Sequence, residues 1–159
     1  MQKKEKFPLV VVLDNIRSMH NVGSIFRSAD AFHVQELLLC GMTAQPPHRD
    51  IEKTALGATK TVDWQYFSDT KKALDYLKHK NYKIIAVEQT QNSILLQNFP
   101  IKLEEKTAFI LGNEVQGVQK EILDQADFCV EIPQWGEKHS LNVSVCAGIV
   151  LWEWCRIRK

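Results

Sequence analysis

Residues 131–155 read EIPQWGEKHSLNVSVCAGIVLWEWC, and the fold turns on how this stretch is parsed. Pro133 and Gly136 mark a loop that ends at Ser140, and a nearly unbroken apolar run begins beyond Asn142. Serine and asparagine start helices well, because their side-chain oxygens accept hydrogen bonds from unpaired backbone N–H groups. The run is rich in β-branched residues, which also suits a strand. Its length and its lack of internal breakers favour a helix buried on most sides. It is too short to cross a bilayer, and Ser144 and Glu153 interrupt it. A helix this apolar needs a domain wrapped around it.

Working outward, the rest of the chain supplies alternating strands and helices. Residues 8–13 are a continuous apolar run, expected of a strand buried on both faces. Residues 14–23, DNIRSMHNVG, read as a polar loop, followed by a helix over 24–32 with Ile25, Ala29 and Phe32 on one side. A strand at 37–40 precedes a short helix within 46–57, with His48, Arg49 and Lys53 exposed. Residues 62–67 alternate like a half-buried strand, and Ser68 is placed to cap a helix over 69–80. Strands at 83–87 and 107–111 flank a polar connection that holds one short apolar patch at 94–96. A helix over 119–126 and a strand over 128–132 lead into the long apolar helix. This alternation, without an internal repeat, predicts an α/β domain with a mainly parallel sheet and helices on both faces. Such sheets bind ligands beyond the carboxyl ends of their strands. Three loops there concentrate Asn, Arg, Glu, Gly and Ser: residues 14–23, 111–118 and 133–142.

Length and composition set broad bounds. The 159 residues are expected to form one domain, 1–159, long enough for a real hydrophobic core. A net charge of +1 argues neither for nor against a polyanionic partner, so any basic surface must come from local clustering. Cys40, Cys129, Cys146 and Cys155 lie in apolar runs without a C-x-x-C pair, and read as buried thiols in a reducing cytosol. No group of His, Cys and acidic residues has metal-ligand spacing, so no metal is expected. Gly23 belongs to no G-x-G-x-x-G, which argues against a dinucleotide loop. The start, MQKKEKF, reads as a lead-in to a strand and not as a signal peptide, giving a cytoplasmic protein without membrane segments.

The three loops, in this order and spacing, resemble the three motifs of the SPOUT superfamily of RNA methyltransferases. The match is to the SpoU/TrmH branch of ribose 2′-O-methyltransferases. Residues 21–27, NVGSIFR, match the first motif; residues 109–118, FILGNEVQGV, the second; residues 132–149, IPQWGEKHSLNVSVCAGI, the third. The resemblance covers essentially the whole chain. It implies S-adenosylmethionine as cofactor, a C-terminal deep trefoil knot, a homodimer and an RNA substrate. Periodicity alone stops at an open sheet, since threaded connections are nearly absent from proteins. Ser18-Met19 stand where the family often has Asp-Pro, and Gln134 stands where Met is common. Against that pattern the chain is expected to be a bare catalytic domain, 1–159, without a separate RNA-binding domain, and for want of an rRNA-targeting domain tRNA is favoured over rRNA. The alternative is a non-catalytic RNA-binding or assembly protein on the same scaffold.

The resemblance also assigns roles. Arg27, an ordinary surface arginine by itself, becomes the leading catalytic residue for activating a ribose 2′-hydroxyl. Arginine is a poor base, so proximity and stabilisation of the forming alkoxide matter as much as proton removal. Asn21 reads either as a helix cap or, with Gly23 after it, as a loop residue orienting Arg27 or a substrate phosphate. Glu114 reads as a turn carboxylate, an anchor for the loops, or a partner for the other subunit's arginine. Ser140 and Asn142 combine helix starting with polar contacts at the site. Leu111, Ile132 and Leu141 are expected to contact adenine, with Gly112, Asn113, Gly117 and Gln134 completing the cofactor loops; both glycines suit close backbone approach. His20 and His139 flank motifs and read as surface or structural residues. Lys3, Lys4 and Lys6, His48, Arg49 and Lys53, and Arg156, Arg158 and Lys159 form basic clusters that would meet phosphates if a dimer gathered them on one face. That dimer is expected to use the long apolar helix and the first-motif helix.

Overall fold

Residues 9–14 form the centre of the fold, because each is completely buried. The computed structural model describes residues 5–137 and 140–158. In chain order the elements are β1 (Phe7–Asp14), α1 (Met19–Ala31), β2 (Val34–Cys40), α2 (Arg49–Ala55), β3 (Asp63–Phe67), α3 (Thr70–His79), β4 (Lys83–Val87), β5 (Ile94–Leu95), β6 (Thr107–Leu111), α4 (Lys120–Leu123), β7 (Phe128–Glu131) and α5 (Val143–Cys155). The described strands form one sheet in the order β3-β2-β1-β6-β4-β7-β5. Every pairing in it is parallel.

Alternate residues of the strands feed two cores, as the two-residue period of a strand requires. Leu9, Val11, Leu13, Leu37, Leu39 and Phe109 pack with α1, α2 and α5 on one face. Val10, Val12, Leu38, Ile84 and Ile110 pack with Ala73, Leu74 and Leu77 of α3 and Ile122 of α4 on the other. Both faces are therefore covered, which explains the unbroken apolar runs. The strands at 83–87 and 107–111 begin and end where the sequence places them.

Several boundaries move for local reasons. Helix α1 begins at Met19, not at residue 24, because Ser18 caps it; its Oγ accepts the Asn21 N–H at 3.2 Å. Asn21 is therefore in the first helical turn, and the expectation that it sits in a loop is corrected. Gly23 is inside the helix for a tertiary reason. A Cβ there would lie 2.1 Å from Thr54 Oγ1 and 2.2 Å from the Ile51 carbonyl oxygen, so its absence lets α2 press against α1. Asp69, not Ser68, caps α3, accepting the Lys71 N–H at 2.8 Å. The helix expected over 119–126 contracts to α4, and the patch at 94–96 contains the two-residue strand β5. Helix α5 buries Val143, Ala147, Val150, Leu151 and Trp154 but leaves Val145 and Trp152 49% and 59% exposed, so one face is uncovered. Of the cysteines only Cys40 is fully buried, and burial pushes its thiol up to about 12.

One connection is unusual. Val87 of β4 and Ile94 of β5 both pair with Val130 of β7, so these strands flank β7 at the same level. Residues 88–93 therefore form a short strap across the carboxyl end of β7, where a parallel connection ordinarily needs a dozen residues or more. Among the described residues no helix is long and apolar enough to cross a membrane.

The α1–α2 contact yields a stability test. Alanine is intrinsically the better helix former by about 1 kcal/mol. Gly23→Ala should nevertheless destabilise the protein by about 1–3 kcal/mol, because its methyl group meets backbone on α2. Urea denaturation measures the difference, and a neutral or stabilising result would contradict the close approach.

Candidate active site

The turn after β6 is built to be rigid. Asn113 and Gly117 exchange backbone hydrogen bonds at 3.1 and 2.8 Å, while Asn113 Oδ1 accepts the N–H groups of Val115 and Gln116 at 2.9 and 3.1 Å. Gly117 has φ +71°, and a Cβ on it would lie 2.2 Å from Glu88 Oε2. A Cβ on Gly112 would lie 2.2 Å from the Val118 nitrogen. Both positions therefore require glycine. Neighbouring strand ends brace the turn from either side. Glu88, just beyond β4, accepts the Val118 N–H at 3.0 Å, and Asn113 Nδ2 donates to the Asn15 carbonyl beyond β1 at 2.7 Å.

From this turn Glu114 reaches across to the start of α1. Its Oε2 accepts the Arg17 N–H at 3.2 Å, and its Oε1 accepts the Ser18 N–H at 3.1 Å and the Asn21 side-chain amide at 3.5 Å. Asn21 Oδ1 in turn accepts from Asn142 Nδ2 at 3.3 Å. Asn142 caps α5, its Oδ1 accepting from the backbone N–H and the hydroxyl of Ser144 at 2.8 and 2.5 Å. One hydrogen-bonded chain thus joins the second loop to the first and the first to the third. Burial works to raise the Glu114 pKa, but donated bonds from backbone N–H groups and the Asn21 side chain outweigh it and hold the carboxyl below its ordinary value.

Beside this chain, beyond β4, β6 and β7, lies a pocket of about 520 Å³. Leu111, Gly112, Asn113, Glu114, Gly117, Ile132, Gln134, Ser140 and Leu141 all line it, as do Val143 and Cys146 of α5. Its lining includes the acidic residues Glu88, Glu114 and Glu131. Glu88 was not anticipated from sequence; a single acidic residue after a strand carries no pattern. Asn21 and Asn142 stand beside the pocket through their hydrogen bonds. Arg27 does not join them. It is exposed on α1 and makes no hydrogen bond or ion pair with any described residue. Six residues of helix separate it from Asn21 by roughly 9 Å along the axis and roughly 120° around it.

The basic clusters are largely committed elsewhere. Lys6 donates to the Thr61 carbonyl and pairs with Asp63, and Arg156 forms a two-point ion pair with Glu153. Arg158 folds back onto the Lys102 and Leu103 carbonyls, so the terminal arginines are not a free phosphate-contacting patch. His48 accepts the Asp50 N–H and caps α2, leaving Arg49 and Lys53 exposed. His20 is exposed, and its carbonyl accepts the Thr54 hydroxyl. Lys3, Lys4, His139 and Lys159 lie outside the described residues. Among the described residues, no group of three or more His, Cys, Asp or Glu is arranged to hold a metal ion.

A parallel sheet with linked carboxyl-end loops around a pocket defines an α/β domain that takes a small ligand. The chain belongs to the SpoU rRNA Methylase family, whose profile matches residues 8–152. It is 32% identical over 151 residues to the 23S rRNA (guanosine-2′-O-)-methyltransferase RlmB of Neisseria meningitidis, covering 95% of this chain and 59% of that protein. It is 30% identical to a putative TrmH family tRNA/rRNA methyltransferase of Staphylococcus haemolyticus, covering 98% of this chain and 61% of that one. The chain thus spans about three fifths of these curated relatives. Among solved structures, the AdoMet-bound rRNA methyltransferase from Sinorhizobium meliloti superposes with a TM-score of 0.88 at 26% identity, over 98% of this chain and 57% of that chain. The A. aeolicus TrmH/SpoU tRNA modifying enzyme gives 0.85 at 31% identity, over 97% and 77%.

The lowered Glu114 pKa makes a signed prediction. A carboxyl whose folded pKa lies below its unfolded value contributes stability that is present above the ordinary value of 4.5 and is lost as pH falls through the lower, folded value. Glu114→Gln should therefore flatten the acid limb of the stability profile below about pH 5 while leaving its shape near neutrality unchanged. Urea midpoints across that range measure this, and an unchanged acid limb would show that Glu114 does not hold the loops.

Proposed function

We propose that this chain is an S-adenosylmethionine-dependent ribose 2′-O-methyltransferase acting on structured RNA, with residues 1–159 as its catalytic domain. The observation that carries the reading is the hydrogen-bonded chain from Glu114 through Asn21 to Asn142, which ties all three motif loops together beside one pocket. The pocket's residues suit the cofactor. Its volume, about 520 Å³, lies in the range of small-molecule sites, roughly 300–1,000 Å³. Leu111, Ile132 and Leu141 would enclose adenine, while the main chain of the 112–117 turn, Gln134 and Ser140 would meet polar atoms. The lining carboxylates favour a ligand that carries a sulfonium and an ammonium charge. When bound, that ligand supplies an electrophilic methyl group.

The chain's own residues do the rest. Glu114 fixes the start of α1. Asn21, gripped between Glu114 and Asn142, presents a fixed amide to the substrate ribose or phosphate. Arg27 contributes positive charge where the 2′-oxygen develops negative charge. Since Arg27 is remote from the pocket of its own chain, we assign it to the pocket of a second copy. The uncovered Val145 and Trp152 stand two turns apart on α5, and α5 packs beside α1. A symmetric homodimer covering this face would bring the partner's α1 toward the pocket. The strap at 88–93 across β7 supports a threaded C-terminal segment, as in a deep trefoil knot.

The preference for tRNA finds no support: relatives named for 23S rRNA point toward rRNA. Both RNAs belong in the test. Tritium transfer from labelled cofactor into 23S rRNA and tRNA transcripts, with calorimetry for the cofactor, tests the reading. The wild type should bind cofactor with or without a chelator and label ribose 2′-oxygens. Arg27→Ala should lose on the order of a hundredfold or more in rate while keeping its cofactor affinity, as expected for a group acting on transition-state charge. Lysine should rescue poorly, lacking the planar fork. A variant retaining more than about a tenth of the rate, a loss below ~1.4 kcal/mol, removes Arg27 from the chemistry.

A further inference from the structure

A second cavity, of about 330 Å³, lies beyond the carboxyl ends of β1, β2 and β6, on the other side of the 113–117 turn from the cofactor pocket. Its place in the sheet is informative. From β1 the chain crosses through α1 to β2 on one side, whereas β6 lies on the other side of β1 and continues away from it, past β4, to β7. Connections diverge between β1 and β6, and open parallel sheets ordinarily take ligands at such a point. Here the pocket assigned to the cofactor lies one strand further along, so the divergence point remains open for something else.

The lining of this crevice pairs fixed backbone with uncommitted side chains. The Arg17 N–H is held by Glu114 at 3.2 Å, the Met42 N–H by Asn15 Oδ1 at 2.8 Å, and the Gln119 N–H by Asp14 Oδ2 at 3.2 Å. Gln116 N–H is held by Asn113 Oδ1 at 3.1 Å. Yet the side chains of Arg17, Gln116 and Gln119 make no hydrogen bond or ion pair with any described residue. Met42 is 57% and Val115 86% exposed, placing two apolar groups beside these polar ones. Among the described residues no acidic one lines the crevice, in contrast to the three glutamates of the neighbouring pocket.

We propose that this crevice receives an unstacked base of the RNA strand whose ribose is methylated. This rests on the reading of the chain as an RNA methyltransferase. The thioether of Met42 and the Val115 methyl groups offer a surface to the flat face of a base. The side-chain amides of Gln116 and Gln119 carry both donors and acceptors, as the edge of a base does. Arg17 supplies a planar cationic fork for phosphate or for a purine edge. A folded protein partner presents a broad face and not one inserted group, so a concave site of this size fits a single nucleotide better.

The test uses the four nucleoside 5′-monophosphates as probes, titrated into the full chain saturated with S-adenosylhomocysteine and followed by amide NMR. Saturable shifts are expected at Met42, Gln116 and Gln119, and Arg17→Ala and Met42→Ala should weaken them. Neither side chain has a hydrogen-bond partner among the described residues, and neither residue lines the cofactor pocket. In methyl transfer to rRNA and tRNA transcripts, each variant should raise the KM for RNA on the order of tenfold, with calorimetric cofactor affinity unchanged. Shifts confined to residues 87–90 and 131–134, no saturable shifts, or variants with wild-type KM would overturn the assignment even while methylation persists. Should methylation and cofactor binding both be absent, the functional reading fails, and the nucleotide titration of the free protein still decides whether the crevice binds a base.

Discussion

The Glu114 carboxylate is the contact on which the site depends. It accepts two backbone N–H groups, from Arg17 and Ser18, and the Asn21 side-chain amide. These donors lie before and within the first turn of α1, where unpaired N–H groups and the helix dipole favour a negative charge. Glu114 itself comes from the turn after β6, whose geometry Asn113, Gly112 and Gly117 determine. A side chain on one strand end therefore dictates where a helix on another begins. Once that start is set, Asn21 faces Asn142, and α5 is positioned relative to both.

The parallel sheet makes such an arrangement available. All its described strands end on one side, so loops far apart in sequence emerge together. Asn113 reaches the Asn15 carbonyl across 98 positions, and Asn142 reaches Asn21 across 121. Buried Asp14 continues the same logic at the end of β1, accepting from the Thr70 hydroxyl at the start of α3 and from the Gln119 N–H before α4. Burial of a carboxylate is tolerable because donors from three segments satisfy it.

What the sequence made legible follows from which forces were local. Strands covered on both faces read correctly as apolar runs, because burial there needs no partner-specific information; β4 and β6 match residue for residue. The three polar loops were legible because strand ends gather polar residues, and the structure brings them together beside one pocket. Gly23 misled because its meaning lies in the contact with Thr54 and Ile51, which no local pattern encodes. Strand β5 was missed because two residues carry no period. Glu88 and Asn15 escaped notice for a related reason. Their roles arise from receiving the Val118 and Met42 N–H groups, which folding alone brings near. The terminal arginines looked free for phosphate, but carbonyls at 102 and 103 and the carboxylate of Glu153 engage them.

The turn at 113–117 also separates two electrostatic environments. Glu88, Glu114 and Glu131 line the pocket on one side of it, while Arg17 lines the crevice on the other. Among the described residues no acidic one joins the crevice lining, and of Arg17 the Glu114 carboxylate holds only the backbone N–H. Glu88 accepts the Val118 N–H and Glu114 the Arg17 N–H, so the structural bonds and the negative lining come from the same residues. Moving Glu114 away would both release α1 and expose Arg17 to a less negative wall. Charge is thus sorted by the same contacts that hold the loops. A cationic small ligand and a polyanionic chain can then approach a common wall from opposite sides, each meeting the charge that suits it. Gly117 in the turn, Gly112 just before it and Asn113, bonded to the turn's own backbone, set the shape of that wall.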